Sequence, residues 1–371
     1  MNKRIYLSSP TMHGDEMRYI KEAFDTNWVA PLGKNVDEFE KEISAYVGVK
    51  YGAALVSGTA ALHLAVKWVG VKQGDIVFCS DLTFAATVNP VSYEGGVQVF
   101  IDSEPETWNM CPKALEVAFE KYPNPKAVIL VHLYGVPAKI DEIKTICEKY
   151  NVPLIEDAAE SLGTTYKGKQ TGAFGDLSVL SFNGNKIITT SGGGMLLSDN
   201  KATIEKARFW ATQSRESALH YEHNEIGYNY RMSNIVAGIG RGQLLHLNEH
   251  IAVKKQIYEK YKSAFSNLPI KMNPYLVESE PNFWLSCMTV NREINIKPIN
   301  IITTLNQINV EARSIWKPMH LQPVFGDRDF ISVAEKPISS DIFERGVCLP
   351  SDIKMTNEEV EMIIDTVRRL F

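Results

Sequence analysis

The chain has 371 residues, of which 44% are hydrophobic and 22% charged, and its formal net charge at neutral pH is -5. This composition is typical of a globular protein, and the negative net charge argues against a protein that binds nucleic acid. At roughly 150 residues per domain, the length predicts about two domains.

The sequence has no apolar run of the ~18 residues that a membrane span requires, and its basic start, residues 1–10, is not followed by one. We therefore expect a cytoplasmic protein without a membrane partner. The five cysteines are widely spread and form no Cys-x-x-Cys pair. They are interpreted as reduced core thiols, and no metal site is predicted.

The first predicted elements are two helices, at residues 14–25 and 36–47, joined by an irregular loop that contains Trp28. A buried strand at 51–56 then leads through Ser57-Gly-Thr into a helix. Such a helix start presents free backbone N–H groups that suit a phosphate. An ordinary N-cap is the alternative interpretation of the same residues.

Strands and helices alternate along the next part of the chain. The predicted strands are 75–79, 97–101, 127–132, 152–157, 177–182 and 195–198, and the predicted helices are 83–93, 112–121 and 138–150. This alternation predicts a largely parallel sheet covered by helices on both faces, with ligands bound at the carboxyl ends of the strands. Thr59, Asp157 and Lys186 all lie near those ends.

A long helix or helix pair at 232–265 is predicted to contain the domain boundary, near residue 245. The chain is thus divided into a large domain, 1–245, and a smaller α/β domain, 246–371. Within the smaller domain the pattern predicts short strands at 284–290, 310–315 and 347–349 and helices at 299–307 and 357–370.

Lys186 is the strongest catalytic candidate, because it follows a strand, is flanked by polar residues and precedes the glycines 192–194. A partly desolvated amine has a lowered pKa and is suited to Schiff-base chemistry. The alternative is an ordinary surface lysine on a Gly-rich turn. The sequence contains neither G-x-G-x-x-G nor G-x-x-x-x-G-K-[ST], so a Rossmann dehydrogenase is disfavoured.

A phosphate-suited helix start, an aspartate at a strand end and a lysine at a later strand end together match the requirements of pyridoxal phosphate. This cofactor needs a phosphate cradle, a carboxylate that keeps its pyridine nitrogen protonated, and an amine. Taken singly, Asp157 could be a helix cap, Ser181 an ordinary strand residue and Phe84 a core residue. Their order along the chain favours the cofactor.

Over essentially its whole length the sequence resembles the DegT/DnrJ/EryC1/StrS family of sugar aminotransferases. The motifs that carry this resemblance are Ser57-Gly-Thr-Ala-Ala-Leu62, Thr83-Phe84, Glu156-Asp-Ala-Ala-Glu-Ser-Leu-Gly163, Ser181-Phe-Asn-Gly-Asn-Lys-Ile-Ile-Thr-Thr190, Gly227-Tyr-Asn-Tyr-Arg-Met232 and Ile315-Trp-Lys-Pro-Met-His320. The resemblance implies a fold-type I pyridoxal-phosphate aminotransferase, with a mostly parallel seven-stranded sheet and a smaller C-terminal domain.

The resemblance also implies roles for individual residues. Lys186 resembles the Schiff-base lysine that also moves the substrate proton, and Asp157 resembles the partner of the pyridine nitrogen. The remaining implied cofactor contacts are Gly58, Thr59, Ala60 and Ser181 at the phosphate, Phe84 stacked on the ring, Glu160 beside the ring hydroxyl, and Asn229 from a partner subunit of a homodimer. The implied contacts of the nucleotide sugar are Trp28, Trp316, Lys317 and His320.

The family's common Gly-Glu-Gly-Gly after the lysine is Ser191-Gly-Gly-Gly194 here. We expect no effect on the chemistry, because the neighbouring glycines keep their conformational freedom.

The implied reaction is transfer of an amino group from L-glutamate to a ketone on a nucleotide-linked sugar. The Asn-Gly-Asn-Lys and Ser-Gly-Gly-Gly stretches most resemble enzymes that aminate C4 of a UDP-linked 2-acetamido-4-keto-2,6-dideoxyhexose, for surface or exopolysaccharide synthesis. GDP-4-keto-6-deoxymannose, the perosamine precursor, is the alternative substrate. Lys186 argues against a deoxysugar dehydratase, because that enzyme has histidine at this position. A non-catalytic regulatory or scaffold protein that keeps the fold is a hypothesis from a different functional class.

Overall fold

The structure is a computed structural model that describes residues 3–371. In chain order, the elements up to residue 198 are α1 (Asp15–Asp25), α2 (Lys34–Val47), β1 (Tyr51–Leu55), α3 (Gly58–Trp68), β2 (Ile76–Ser80), α4 (Asn89–Tyr93), β3 (Val97–Ile101), α5 (Pro112–Lys121), β4 (Ala127–Val131), α6 (Ile140–Tyr150), β5 (Leu154–Asp157), β6 (Thr165–Tyr166), β7 (Lys169–Gln170), β8 (Leu177–Ser181) and β9 (Gly194–Ser198).

The remaining elements are α7 (Lys201–Ala211), α8 (Asn234–Leu244), α9 (Leu247–Ala264), β10 (Ile270–Met272), β11 (Ser279–Glu280), β12 (Ser286–Val290), α10 (Pro298–Gln307), β13 (Arg313–Ser314), β14 (Asp329–Ile331), α11 (Ile338–Arg345), β15 (Gly346–Leu349) and α12 (Asn357–Arg368). Within residues 3–371, none of these helices combines the length and the hydropathy that crossing a bilayer requires.

The central sheet has eight strands in the order β1-β9-β8-β5-β4-β2-β3-β14. Seven of them run in one direction, and β9 pairs antiparallel with both of its neighbours. Seven strands come from residues 51–198, and the eighth, β14, comes from the C-terminal part of the chain. The predicted largely parallel sheet is confirmed, with one strand added at its edge.

Side chains on the two faces of this sheet pack into different cores. On β2, Val77 and Cys79 belong to a cluster with residues of α3 and α7, whereas Phe78 belongs to a cluster with residues of α5 and α6. Since both faces are covered, strands such as β4 are buried at every position. This explains the continuous apolar runs of the sequence.

The helix predicted over 83–93 is wrong. Phe84 has an extended backbone, a short 3-10 turn covers Ala85–Thr87, and only α4 is α-helical. Pro90 has no N–H to donate to the preceding turn, which prevents a continuous helix. The break leaves Phe84 half-exposed.

The predicted domain boundary at residue 245 falls between α8 and α9. After it, β10, β12, β15 and β13 form a separate antiparallel sheet. Strand pairings cross this division at three places. The β14 strand joins the central sheet, β11 pairs antiparallel with β6 in a small sheet that also contains β7, and Ile5, near the N-terminus, forms a parallel bridge with Val310.

Candidate active site

The amino end of α3 lies beside the carboxyl end of β8. Ser57 caps the helix, because its Oγ accepts a hydrogen bond from Ala60 N at 3.1 Å. A Cβ placed on Gly58 would lie 3.1 Å from the Cβ of Ser181, so the backbone of the helix start directly abuts this serine. The structure thus brings the first turn of α3 and Ser181 together, as a phosphate cradle requires.

The glycine loop after Lys186 packs onto the same helix start. A Cβ on Gly194 would approach the carbonyl carbon of Ser57 to 2.3 Å and the nitrogen of Gly58 to 2.4 Å, which no side chain can do. Ser191, directly before these glycines, has a left-handed backbone with φ 73°. The neighbouring glycines therefore do not relieve this position, and the serine itself carries the strain.

Asp157 is a buried carboxylate at the end of β5. Its Oδ2 accepts a hydrogen bond from Thr87 Oγ1 at 2.7 Å, and its Oδ1 accepts one from Ala159 N at 3.1 Å. Burial raises the pKa of Asp157, against these hydrogen bonds and the charge of Lys186. The carboxylate has neutral hydrogen-bond donors but no salt bridge within residues 3–371, so it is suited to a cationic ligand nitrogen.

Lys186 lies between an acid and an indole ring. Its Nζ is 3.6 Å from Glu160 Oε1 and 4.1 Å from the centroid of the Trp284 ring. Burial raises the pKa of Glu160 to about 7, although the charge of Lys186 and a hydrogen bond from Tyr134 N oppose this effect. Glu160 can therefore exchange a proton near neutral pH.

A second buried acid, Glu156, supports this edge of the sheet. It accepts a hydrogen bond from His132 Nε2 at 2.8 Å and others from the backbone of Phe174 and Gly175. Burial acts to raise the pKa of Glu156, but these hydrogen bonds hold it below its usual value. His132 Nδ1 in turn accepts from Ala138 N, so the imidazole is fixed in one tautomer.

Aromatic rings line one side of the site. The centroid of the Trp316 ring is 5.4 Å from that of Phe84 and 4.9 Å from that of Tyr134. Trp316 N also donates to Tyr134 Oη at 3.1 Å. Lys317 follows Trp316 and is exposed, and His320 is held by Asp81 through its Nδ1 at 2.7 Å.

Five residues of this site were not predicted from the sequence: Tyr134, Thr87, His132, Trp284 and Asp81. Only His132 carried a signal, since it ends a predicted strand. Two predicted site residues, Trp28 and Asn229, make contacts elsewhere in the described chain and none with Lys186. Trp28 is half-exposed and its carbonyl accepts from Asn234, and Asn229 is exposed, where it bridges to Thr212.

His13, His246 and Glu249 have potential metal-ligand atoms within 4.8 Å of one another. The two imidazole rings are stacked, however, with centroids 3.8 Å apart and planes 6° apart. Lone pairs in parallel planes do not converge on one ion, and His13 Nε2 already lies 2.7 Å from His250 Nε2. This arrangement is a hydrogen-bonded stack of imidazoles and not a coordination geometry.

The described residues fit pyridoxal phosphate by the chemistry of their donors. The helix start beside Ser181 would hold the phosphate, Asp157 would hold the ring nitrogen, and Lys186 offers the amine. Phe84, exposed and extended at the same edge, is positioned as a stacking surface.

The chain is similar in sequence and in fold to known aminotransferases. The sequence model of the DegT/DnrJ/EryC1/StrS aminotransferase family matches residues 10–368. Bacillus subtilis EpsN, whose name describes a pyridoxal phosphate-dependent aminotransferase, is 52% identical over 100% of this chain and 97% of its own. The GDP-perosamine synthase of Escherichia coli O157:H7 is 34% identical over 100% and 99% of the two chains.

The UDP-4-amino-4,6-dideoxy-N-acetyl-beta-L-altrosamine transaminase of Campylobacter jejuni is 38% identical, over 63% of this chain and 62% of its own. Among solved structures, a DegT DnrJ EryC1 StrS aminotransferase from Brucella abortus superimposes with a TM-score of 0.89. It is 26% identical, and the match covers 96% of this chain and 95% of that one.

Proposed function

The chain belongs to the DegT/DnrJ/EryC1/StrS family of pyridoxal phosphate-dependent sugar aminotransferases, and from this premise we propose its reaction, its substrate and its assembly. The reaction is transfer of an amino group from L-glutamate to C4 of a UDP-linked 2-acetamido-4-keto-2,6-dideoxyhexose. The product is the corresponding UDP-4-amino-4,6-dideoxy sugar, a precursor for surface or exopolysaccharide synthesis.

One observation carries this proposal. Lys186, the buried Asp157 and the Gly58–Ser181 contact come from three separate segments of the chain, which end or begin at the carboxyl edge of one sheet. An amine, an acid suited to a cationic nitrogen and a phosphate cradle are the three groups that the cofactor requires.

Each residue has a role that follows from its contacts. The cofactor, when bound, supplies an electron sink for the bonds that change at the amino-bearing carbon. Lys186 Nζ holds and moves the proton at that carbon, and Asp157 keeps the ring nitrogen cationic. Glu160, with a pKa of about 7 and 3.6 Å from Lys186 Nζ, is placed to accept or return a proton at that amine.

UDP and GDP are the two candidates for the nucleotide that is linked to the substrate sugar. The Campylobacter jejuni relative is named for a UDP-linked sugar and therefore supports UDP, our first choice. Its match covers 63% of this chain. The Escherichia coli relative is named for a GDP-linked sugar and matches the whole chain at slightly lower identity. A GDP-linked 4-keto-6-deoxymannose is therefore the second candidate.

We propose a homodimer with shared active sites. Asn229 supports this arrangement, because it is exposed in a segment, residues 225–231, whose aromatic and polar side chains are incompletely covered within one chain. In the dimer it would reach the partner's phosphate. The nucleotide sugar would contact Trp28, Trp316 and Lys317.

The test is a panel of UDP-, GDP- and dTDP-linked 4-keto sugars, incubated with cofactor-loaded enzyme and L-glutamate and analysed by the mass of the product. We expect amination of the UDP sugar with the highest kcat/KM. Preferential amination of the GDP sugar would replace the first candidate by the second. A visible absorption spectrum that glutamate leaves unchanged would contradict glutamate as the amino donor.

A further inference from the structure

Asp81, directly after β2, is a hydrogen-bonding centre that the proposed chemistry does not use. It is 1% exposed. Its Oδ1 accepts from His320 N at 2.9 Å, its Oδ2 accepts from His320 Nδ1 at 2.7 Å and from Ser339 Oγ at 2.6 Å, and its carbonyl accepts from Met319 N at 2.9 Å. One aspartate thus holds both the 319–320 turn and the start of α11.

The next strand provides a comparable aspartate. Asp102 follows β3 and is also 1% exposed. Its carboxylate accepts from the backbone N–H groups of Ile338 and Ser339, at 3.0 and 2.9 Å, so it caps α11. Asp102 makes no hydrogen bond with His320 in the described chain, which makes it a matched control for Asp81.

His320 has both ring nitrogens occupied within the chain. An ionised carboxylate only accepts hydrogen bonds, so Nδ1 carries the hydrogen and donates to Asp81. Nε2 lies 3.2 Å from Ser340 Oγ, within hydrogen-bond distance. The ring also stacks on Phe330, with centroids 3.9 Å apart. His320 is therefore anchored on the protein and has no ring nitrogen left for a substrate.

The two residues lie on segments that carry different parts of the site. Asp81 is three residues before Phe84, and His320 is four residues after Trp316. The rings of Phe84 and Trp316 are in contact, with centroids 5.4 Å apart. The Asp81–His320 hydrogen bonds therefore fix the distance between the cofactor side of the site and the segment 316–317.

We propose that Asp81 and His320 form a clamp that positions Trp316 and Lys317 for the nucleotide sugar. Both are positioning residues that act through this segment. The inference rests on the proposed function. In it, His320 positions the segment 316–317 and does not itself contact the nucleotide sugar. Loss of the clamp weakens binding of the sugar and leaves the reaction with glutamate intact.

The experiment compares Asp81→Ala, His320→Ala and His320→Asn with Asp102→Ala. The asparagine amide can donate to Asp81 as Nδ1 does, so His320→Asn is the conservative rescue. The first readout is hydrogen–deuterium exchange of the peptide that covers 316–321, in enzyme without substrate. The second readout compares two kinetic quantities in each variant. They are the KM for the sugar and the rate at which glutamate changes the cofactor's absorption spectrum.

We expect faster exchange of this peptide and a KM at least about tenfold higher in Asp81→Ala and His320→Ala, with the glutamate rate within about twofold of wild type. His320→Asn should restore most of both losses. Asp102→Ala should accelerate exchange at the start of α11 with a smaller change in KM.

Unchanged exchange at 316–321, or an equal KM increase in Asp102→Ala, would overturn the clamp. Failure of the wild type to aminate any sugar in the panel would instead contradict the proposed function, and the exchange experiment would still decide the clamp.

Discussion

Lys186 Nζ lies 3.6 Å from Glu160 Oε1, and the two side chains are only 12% and 3% exposed. Water therefore screens this pair weakly, and the protonation state of Glu160 affects both the amine and the stability of the fold. Burial raises the pKa of Glu160 to about 7 from an ordinary value of 4.5.

This pKa predicts how stability depends on pH in the cofactor-free protein. Because the folded pKa is raised, the folded state binds more protons than the unfolded state between about pH 4.5 and 7, and stability falls as the pH rises through that interval. Glu160→Gln cannot ionise. Its stability relative to wild type should therefore grow from pH 5 to pH 8, by up to about 3 kcal/mol, measured by urea unfolding.

Glu361→Gln, at an exposed position on α12, is the control for the loss of a single surface carboxylate. A difference between Glu160→Gln and wild type that is the same at pH 5 and pH 8 would mean that Glu160 does not titrate in this range.

Replacing Lys186 with alanine should abolish turnover, because no other amine lies within reach of Glu160 among the described residues. Borohydride treatment of wild type should fix the cofactor on the peptide that contains residue 186, as mass spectrometry can show. The variant should bind the cofactor without this attachment. Lys201→Ala, at an exposed position at the start of α7, is the control, and near-normal rates in Lys186→Ala would mean that the catalytic amine is elsewhere.

Asp157→Ala should raise the reaction barrier by several kcal/mol, on the order of 3 to 5, because one side of a buried charge pair is removed. Asp157→Asn should be nearly as slow. Thr87→Val removes one hydrogen bond to this carboxylate and should have a smaller effect. The measurement is the rate of the glutamate reaction under saturating cofactor, and a loss of less than roughly tenfold in Asp157→Ala would assign the role to another acid, such as Glu160.

Ser191→Gly should stabilise the protein by up to about 1 kcal/mol. Relief of a left-handed non-glycine backbone is worth roughly 1–2 kcal/mol, and the greater freedom of glycine in the unfolded chain offsets part of it. The urea midpoint measures this change. Ser263→Gly, at an exposed helical position in α9, should lower the midpoint, and a lowered midpoint for Ser191→Gly as well would show that Ser191 is not strained.

A hybrid dimer tests whether active sites are shared. If Lys186 acts in its own subunit and Asn229 in its partner's site, a hybrid of Lys186→Ala and Asn229→Ala chains contains one site with both defects and one with neither. Co-expression with two different tags should then yield dimers that are more active than either parent. Equal or lower activity in the purified hybrid would place Asn229 outside the partner's site.

The large sheet could be predicted from sequence because its strands are buried on both faces and appear as continuous apolar runs. The start of the predicted helix at 83–93 could not be placed correctly, since the bonds from Thr83 to Thr87 and from Thr87 to Asp157 replace helical geometry there. The three residues β14 contributes to the sheet, Asp329–Ile331, are too few for a periodic signal.

The same distinction applies to the site. Lys186, Asp157 and Ser181 belong to contiguous motifs at strand ends and could be selected from sequence. Trp284 reaches Lys186 from a distant part of the chain, and Asp81 reaches His320 across more than two hundred residues. Such partners are chosen by the tertiary fold, and no local spacing indicates them.

The edge strand β14 has a consequence for synthesis of the chain on the ribosome. Until residue 331 has emerged, β3 has an uncovered edge with free backbone N–H and C=O groups, which can pair with a strand of another nascent chain. A fragment that ends at residue 245 would keep that edge permanently. The C-terminal part thus covers this edge of the large domain only once synthesis has passed residue 331, independently of any catalytic role.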